Sequence, residues 1–145
     1  VFGAPITYAS FGDAVAPGQL SMDVLLNCYR VTELKDGCLI YGVAGKDVHH
    51  SRELEVMNQQ LKKKQLNAVC IPLECLDLHE LLAVMEGLNI KGVQLEDPLK
   101  EIAIDKFSGS GSFPGNSVYM EISSFHGKQE ISIHPISGEK FFEHL

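Results

Sequence analysis

The chain contains no run of about 18 consecutive apolar residues, so no segment reads as a helical membrane span. No basic n-region with a cleavage site reads as a secretory leader. Positive charge is scarce: 12 Lys and Arg face 19 Asp and Glu, a formal net charge of -7 and a pI near 5.3. Such a chain repels phosphate backbones and anionic lipid, so neither nucleic acid nor a membrane surface is an expected partner. It also does not steer an anionic substrate inward, and any anion site has to be built locally. The four cysteines, Cys28, Cys38, Cys70 and Cys75, form no CxxC and lack metal-ligand spacing. With Val69, Ile71 and Leu76 beside them, buried free thiols and a cytosolic location are the expectation. Glycine-rich phosphate loops are missing too. There is no GxxxxGK[ST] and no GxGxxG, and the run Ser108-Gly109-Ser110-Gly111-Ser112 precedes a strand where a phosphate loop needs a helix.

What remains is ordinary globular material, with 145 residues, 45% hydrophobic and 21% charged, enough for one core. The chain opens at Val1-Phe2-Gly3-Ala4-Pro5 without an initiator Met, in what reads as a strand. It closes on Glu139-Lys140-Phe141-Phe142-Glu143-His144-Leu145, which reads as a helix cut in mid-course. Both ends predict a piece of a longer polypeptide.

Residues 1–33 read as strand, loop and helix. Phe11-Gly12-Asp13 and Ala16-Pro17-Gly18-Gln19 are turn material, and Ser21 caps a helix carrying Val24, Leu25, Cys28 and Tyr29. A polar connector, Glu33 to Gly37, follows. From Leu39 the pattern alternates. Leu39–Val43 is an apolar strand, with Gly45-Lys46-Asp47 as its turn. Ser51 caps a helix to about Gln65, with Leu54, Met57 and Leu61 on one face. Ala68–Leu73 is a second strand, and Asp77 caps a helix closed by Gly87. Ile90–Leu95 is a third strand, and Pro98 suits the first position of a helix to about Phe107. Val118–Ile122 and Glu130–Ile133 flank His126-Gly127-Lys128 as a hairpin. The fold class is therefore α/β: a mostly parallel βαβαβα sheet with right-handed crossovers and a C-terminal β-hairpin. No internal repeat is present.

Lys100 is the residue that physics singles out. It falls in the first turn of a helix, where the dipole disfavours a cation by about 0.3–1 kcal/mol, with Glu96 and Asp97 nearby to offset that. A solvated surface Lys is the usual alternative. His49 and His50 follow the first strand, at the end of a parallel sheet where ligands bind. Neighbouring side chains on extended backbone point opposite ways, so no joint metal site is expected. Gln19 is a loop amide and Lys62-Lys63-Lys64 a solvated helix face.

Both stretches resemble enzymes of the shikimate pathway. Residues 1–33, through Phe2-Gly3, Thr7-Tyr8-Ala9 and Ala16-Pro17-Gly18-Gln19-Leu20-Ser21, resemble the last βα unit of a type I 3-dehydroquinate dehydratase barrel. The resemblance implies that Gln19 contacts substrate in an intact barrel, and that this barrel-derived unit dehydrates nothing alone. Residues 39–145 resemble the N-terminal substrate-binding domain of a shikimate dehydrogenase. Tyr41-Gly42-Val43-Ala44-Gly45 matches its opening strand and Met57-Asn58 the helix that follows. His50-Ser51-Arg52-Glu53-Leu54 stands where that family has His-Ser-x-Ser-Pro. Gly92-Val93-Gln94-Leu95-Glu96-Asp97-Pro98-Leu99-Lys100 stands where it has Gly-x-Asn-Val-Thr-x-Pro-x-Lys. Gly115-Asn116-Ser117-Val118 resembles its Asn-Thr-Val strand, and His134-Pro135-Ile136-Ser137-Gly138 its x-Asn-Thr-Asp-Gly. A dehydratase tail followed by a dehydrogenase start is the order of the fused bifunctional enzymes.

The family reduces 3-dehydroshikimate with NADPH. The resemblance implies proton transfer at Lys100, with Ser137 in place of the family's catalytic Asp. It implies substrate contacts from Ser51, Glu53, Gln94, Glu96 and Asn116. Glu53 replaces a Ser that binds the substrate carboxylate. An ionised Glu about 4 Å from that carboxylate costs about 4 kcal/mol at an effective dielectric of about 20, roughly a thousandfold in affinity. Gln94 lengthens an Asn, and Glu96 adds negative charge where the family has Thr. No cofactor site is expected within this chain, since the family's NADP-binding half would follow Leu145. Expected partners are a cyclic hydroxy acid or related metabolite and the remaining domains of the parent polypeptide. Three roles stay open at this point: part of a divergent dehydrogenase, a pseudoenzyme that senses a metabolite as fungal quinate-pathway repressors do, or a domain that only packs against its neighbours.

Overall fold

The computed structural model describes residues 9–11, 19–107, 117–125 and 128–136. The expected opening strand, the loop at 108–112, the hairpin tip at 126–127 and the terminal helix at 139–145 lie outside them.

Among the described residues five strands form one sheet in the order β2-β1-β3-β4-β5. These are β1 (Leu39–Gly45), β2 (Ala68–Glu74), β3 (Ile90–Leu95), β4 (Ser117–Phe125) and β5 (Lys128–Ile136). β1 pairs in parallel with β2 and β3, and β4 and β5 add antiparallel. The fold is thus the mixed α/β sheet with a C-terminal antiparallel pair that the sequence pattern predicts.

Among the described residues three α-helices cover it: α1 (Arg52–Lys63), α2 (Leu78–Gly87) and α3 (Leu99–Phe107). The first two start where local chemistry provides a cap. Ser51 Oγ accepts from the Glu53 N–H, and Asp77 Oδ1 accepts from the Glu80 N–H. Pro98 lies just ahead of α3, joined to Asp97 by a cis peptide, and is not its first residue. Gly87 is the last residue of α2, as the sequence predicts, but is not itself left-handed. The left-handed residue there is Asn89, at φ 52°.

The alternation of β1 sorts the core into two layers. Tyr41 and Val43 pack with Leu54, Met57 and Leu61 of α1. Ile40 and Ala44 face the other way, toward Leu81 and Met85 of α2 and Leu99 and Ala103 of α3. The register shifts between Ile40 and Tyr41, with Ile90 opposite the first and Gly92 opposite the second. That shift carries Gly92 and Gln94 onto the α1 face. Gly92 is required there, because a Cβ would collide with the Tyr119 ring and hydroxyl.

Residues 19–38 are part of this body. Ser21 Oγ accepts from the Val24 N–H, and the helix expected after it is a short π-helical turn, Val24–Cys28. Leu25 and Tyr29 pack on Val69. Arg30 is 4% exposed and donates to the carbonyls of Ala68, at 2.8 Å, and Leu66, at 3.3 Å. The polar connector is pinned as well, by the Lys35 N–H donating to Asn67 Oδ1.

The four cysteines are unpaired, but only Cys70 is buried and the other three are half-buried. Burial pushes the Cys70 thiol far up and those of Cys28 and Cys38 up as well. Alkylation of the native chain with iodoacetamide is expected to reach the half-buried Cys28, Cys38 and Cys75 first, and Cys70 only as the protein unfolds. Equal labelling of Cys70 and Cys75, read by peptide mass spectrometry, would contradict this packing.

Candidate functional site

β1 and β3 are neighbours in the sheet, yet the chain leaves them toward opposite faces. After β1 it runs through a 3-10 turn (Val48–His50) into α1, and after β3 it turns into α3 on the other side. Adjacent parallel strands whose helices diverge leave a crevice at their carboxyl ends. A cleft of about 480 Å³ occupies that place.

The loop after β1 lines it with Lys46, Asp47, Ser51 and Glu53, and the end of β3 with Gln94, Glu96, Asp97 and Lys100. Ser117, the first residue of β4, completes one side. Five of the residues singled out in the sequence therefore share one cleft: Ser51, Glu53, Gln94, Glu96 and Lys100. Gln19 does not join them. It is half-buried ahead of the Ser21 turn, in the N-terminal segment. Asn116 and Ser137 lie outside the described residues. Lys46, Asp47, Asp97 and Ser117 were not singled out. The position of Gly45-Lys46-Asp47 after a parallel strand was the signal for the first two.

The loop after β3 is fixed to β1 by backbone, through the Glu96 N–H donating to the Ala44 carbonyl at 2.8 Å. Gly45 permits the close approach, since a Cβ there would sit 2.9 Å from Glu96 Cβ. This places the Glu96 side chain against Ser51. The Ser51 hydroxyl lies 3.0 Å from Glu53 Oε2, and a shorter contact joins it to Glu96 Oε1. Two carboxylates thus converge on one hydroxyl. Glu53 itself is exposed, so water screens it, and its repulsion of an anion falls below the thousandfold expected from the sequence.

Lys100 is half-buried and pairs with Asp97, Nζ to Oδ1 at 3.0 Å. Its backbone N–H donates to the Glu96 carbonyl. Gln94 is only 7% exposed. Among the described residues its amide has no hydrogen-bond partner, and it opens on the cleft.

The paired histidines stand on the 3-10 turn and not on extended backbone. His49 reaches Glu74 at 3.4 Å and neither ring lines the cleft. No three His, Cys, Asp or Glu side chains converge as metal ligands among the described residues. Where the cleft meets helix α1, the Glu53 N–H is already taken by Ser51 Oγ and is not offered to an anion.

No family model matches the chain. The chloroplastic bifunctional 3-dehydroquinate dehydratase/shikimate dehydrogenase of Arabidopsis thaliana is 30% identical over 105 residues, which is 71% of this chain and 17% of that protein. The chain therefore spans about a sixth of the length of this curated relative. The shikimate dehydrogenase of Aquifex aeolicus superposes with a TM-score of 0.50 at 25% identity, over 66% of this chain and 37% of its own. The dehydroquinate dehydratase and shikimate dehydrogenase of S. pombe has the same fold, with a TM-score of 0.53 at 20% identity over 82% of this chain and 23% of its own. No helix among the described residues is long and apolar enough to cross a membrane. By sheet order, by the divergent exit of α1 and α3, and by this likeness, the chain contains a shikimate dehydrogenase-like domain.

Proposed function

We propose that this chain supplies the substrate-binding half of a divergent shikimate dehydrogenase, and that its cleft takes a polyhydroxylated six-membered ring. The observation that carries the reading is the convergence of Ser51, Gln94 and Lys100 on one cleft at the carboxyl ends of β1 and β3. Gln94 offers an amide to ring hydroxyls. Lys100, held by Asp97, is the group that would move a proton at a reacting hydroxyl. NADP, the reductant of the resembled family, would be held by the rest of the polypeptide, so the chain is not competent alone.

Residues 1–33 are read as the end of a type I dehydratase barrel, which makes Gln19 part of another site. The name of the Arabidopsis thaliana relative, which joins a 3-dehydroquinate dehydratase to a shikimate dehydrogenase, supports this. The free thiols favour a reducing compartment such as the cytosol.

The test is a two-dimensional NMR titration of the chain with methyl shikimate, the uncharged ester of the ring. Shift changes are expected at the Gln94 side-chain amide and at backbone amides of residues 46–53 and 96–100. No change there at about 10 mM ligand would overturn the ring-binding reading.

Ser137 in place of the family's Asp favours a second reading, a pseudoenzyme that senses a metabolite. Full-length protein that binds the ring yet shows no NADPH-dependent reduction of 3-dehydroshikimate would decide for it. Turnover abolished by Lys100→Met would decide for the enzyme.

A further inference from the structure

The cleft has the wrong charge for the carboxylate that the resembled enzymes bind. Asp47, Glu53, Glu96 and Asp97 bring four negative charges to it, and Lys46 and Lys100 bring two positive ones. Lys100 is already engaged by Asp97. The excess is concentrated at Ser51.

Hydrogen-bond accounting sharpens the point. Ser51 has one hydroxyl proton and two carboxylate oxygens beside it, Glu53 Oε2 and Glu96 Oε1. Its oxygen already accepts from the Glu53 N–H at 3.2 Å. The proton serves one carboxylate, and the other faces an oxygen lone pair. The cluster is therefore short of a donor and of a positive charge. An ammonium group supplies both, with three N–H donors and a unit charge.

A second observation points to a ligand at the same place. Gln94 is more than nine-tenths buried, opens on this cleft, and has no hydrogen-bond partner among the described residues. Among the described residues only Arg30 Nε is a sealed side-chain atom without a partner, so the Gln94 amide is reached from the cleft, where a ring hydroxyl can take the place of water. An ammonium at one end and hydroxyls at the other describe one class of molecule.

We propose that the cleft binds an aminocyclitol, a polyhydroxylated six-membered ring, with its ammonium between Glu53 and Glu96 and a ring hydroxyl on Gln94. This rests on the reading of the cleft as a ring site. The two Glu side chains stand where the resembled enzymes have hydroxyls, so the substitution reverses the charge preference of the site without altering the scaffold.

Calorimetric titration of the full chain at pH 7 with valienamine, shikimate, methyl shikimate and calcium chloride tests it. Valienamine is expected to bind at least about tenfold more tightly than shikimate. In the Glu53→Gln/Glu96→Gln double variant, shown by circular dichroism to be folded, valienamine is expected to lose about tenfold more affinity than methyl shikimate does. Valienamine binding no tighter than shikimate, or equal losses for both rings in the variant, overturns the proposal. Calcium binding through these carboxylates without valienamine binding also overturns it, as a bare cation site. Methyl shikimate binding without valienamine binding sinks this inference alone. If no ring compound binds, the ring-site reading falls with it.

Discussion

Replacing Glu53 by Ser and Glu96 by Thr together is expected to raise the affinity of the chain for shikimate by about two orders of magnitude, roughly 3 kcal/mol. Each carboxylate near a bound carboxylate costs between about 1 kcal/mol in water and about 4 kcal/mol at an effective dielectric of about 20, at a separation of about 4 Å. Glu53 is exposed and sits toward the lower figure, while Glu96 is half-buried and sits higher. The double change also frees the Ser51 hydroxyl, now shared between two carboxylates, to donate to the ligand. Ser51 still caps α1, so the helix keeps its start. Glu53→Ser alone is expected to give the smaller part of the gain. Raising salt to about 1 M, where the screening length falls to about 3 Å, is expected to shrink the exposed Glu53 contribution first. Calorimetry with shikimate reads the effect directly. A gain under about threefold in the double variant would mean that the ligand carboxylate does not lie at Ser51.

The elements were legible wherever one segment carries its own signal. The apolar runs at β1, β2 and β3, and the caps Ser51 and Asp77, are local patterns, and the strands and helices begin at or near them. The turn at His49 and His50 was misread because short 3-10 segments have no apolar period to betray them. Gly87 marked the end of α2 correctly, while the left-handed residue that follows, Asn89, carried no signal of its own. The cleft was legible through family spacing at Ser51, Gln94 and Lys100. Its electrostatics were not, because the contact between Ser51 and Glu96 spans 45 residues and depends on Gly45 letting the loop after β3 close down. Arg30 was invisible for the same reason. Its carbonyl partners at Leu66 and Ala68 are 36 and 38 residues away.

Asn58, which the sequence showed only as part of a matched helix, is expected to be among the costliest residues to replace. Among the described residues β2 is an edge strand, so alternate N–H and C=O groups point away from β1 with no described strand to receive them. Asn58 takes that place for Cys70. Its Oδ1 accepts from the Cys70 N–H at 3.0 Å, and its Nδ2 donates to the Cys70 carbonyl at 2.8 Å. The same Nδ2 donates to the Leu54 carbonyl at 3.1 Å. Asn58 is 2% exposed, so water cannot substitute. Asn58→Leu keeps the volume and leaves both groups of the Cys70 peptide buried without partners. At about 1–3 kcal/mol for each such group, the expected loss is about 3 kcal/mol or more. A change at the exposed neighbour Gln59 to Ala is expected to stay within about 0.5 kcal/mol. Asn58→Asp retains the acceptor for the Cys70 N–H but sets a carboxylate against two carbonyls, so it recovers little. Urea unfolding followed by circular dichroism measures all three, with the slope of the transition unchanged if the denatured state is unaffected. A loss below about 1 kcal/mol for Asn58→Leu would mean that the edge of β2 finds other partners. Because β2 pairs directly with β1, whose carboxyl end carries Lys46 and Asp47 into the cleft, a loosened β2 is expected to weaken ring binding in the same variant.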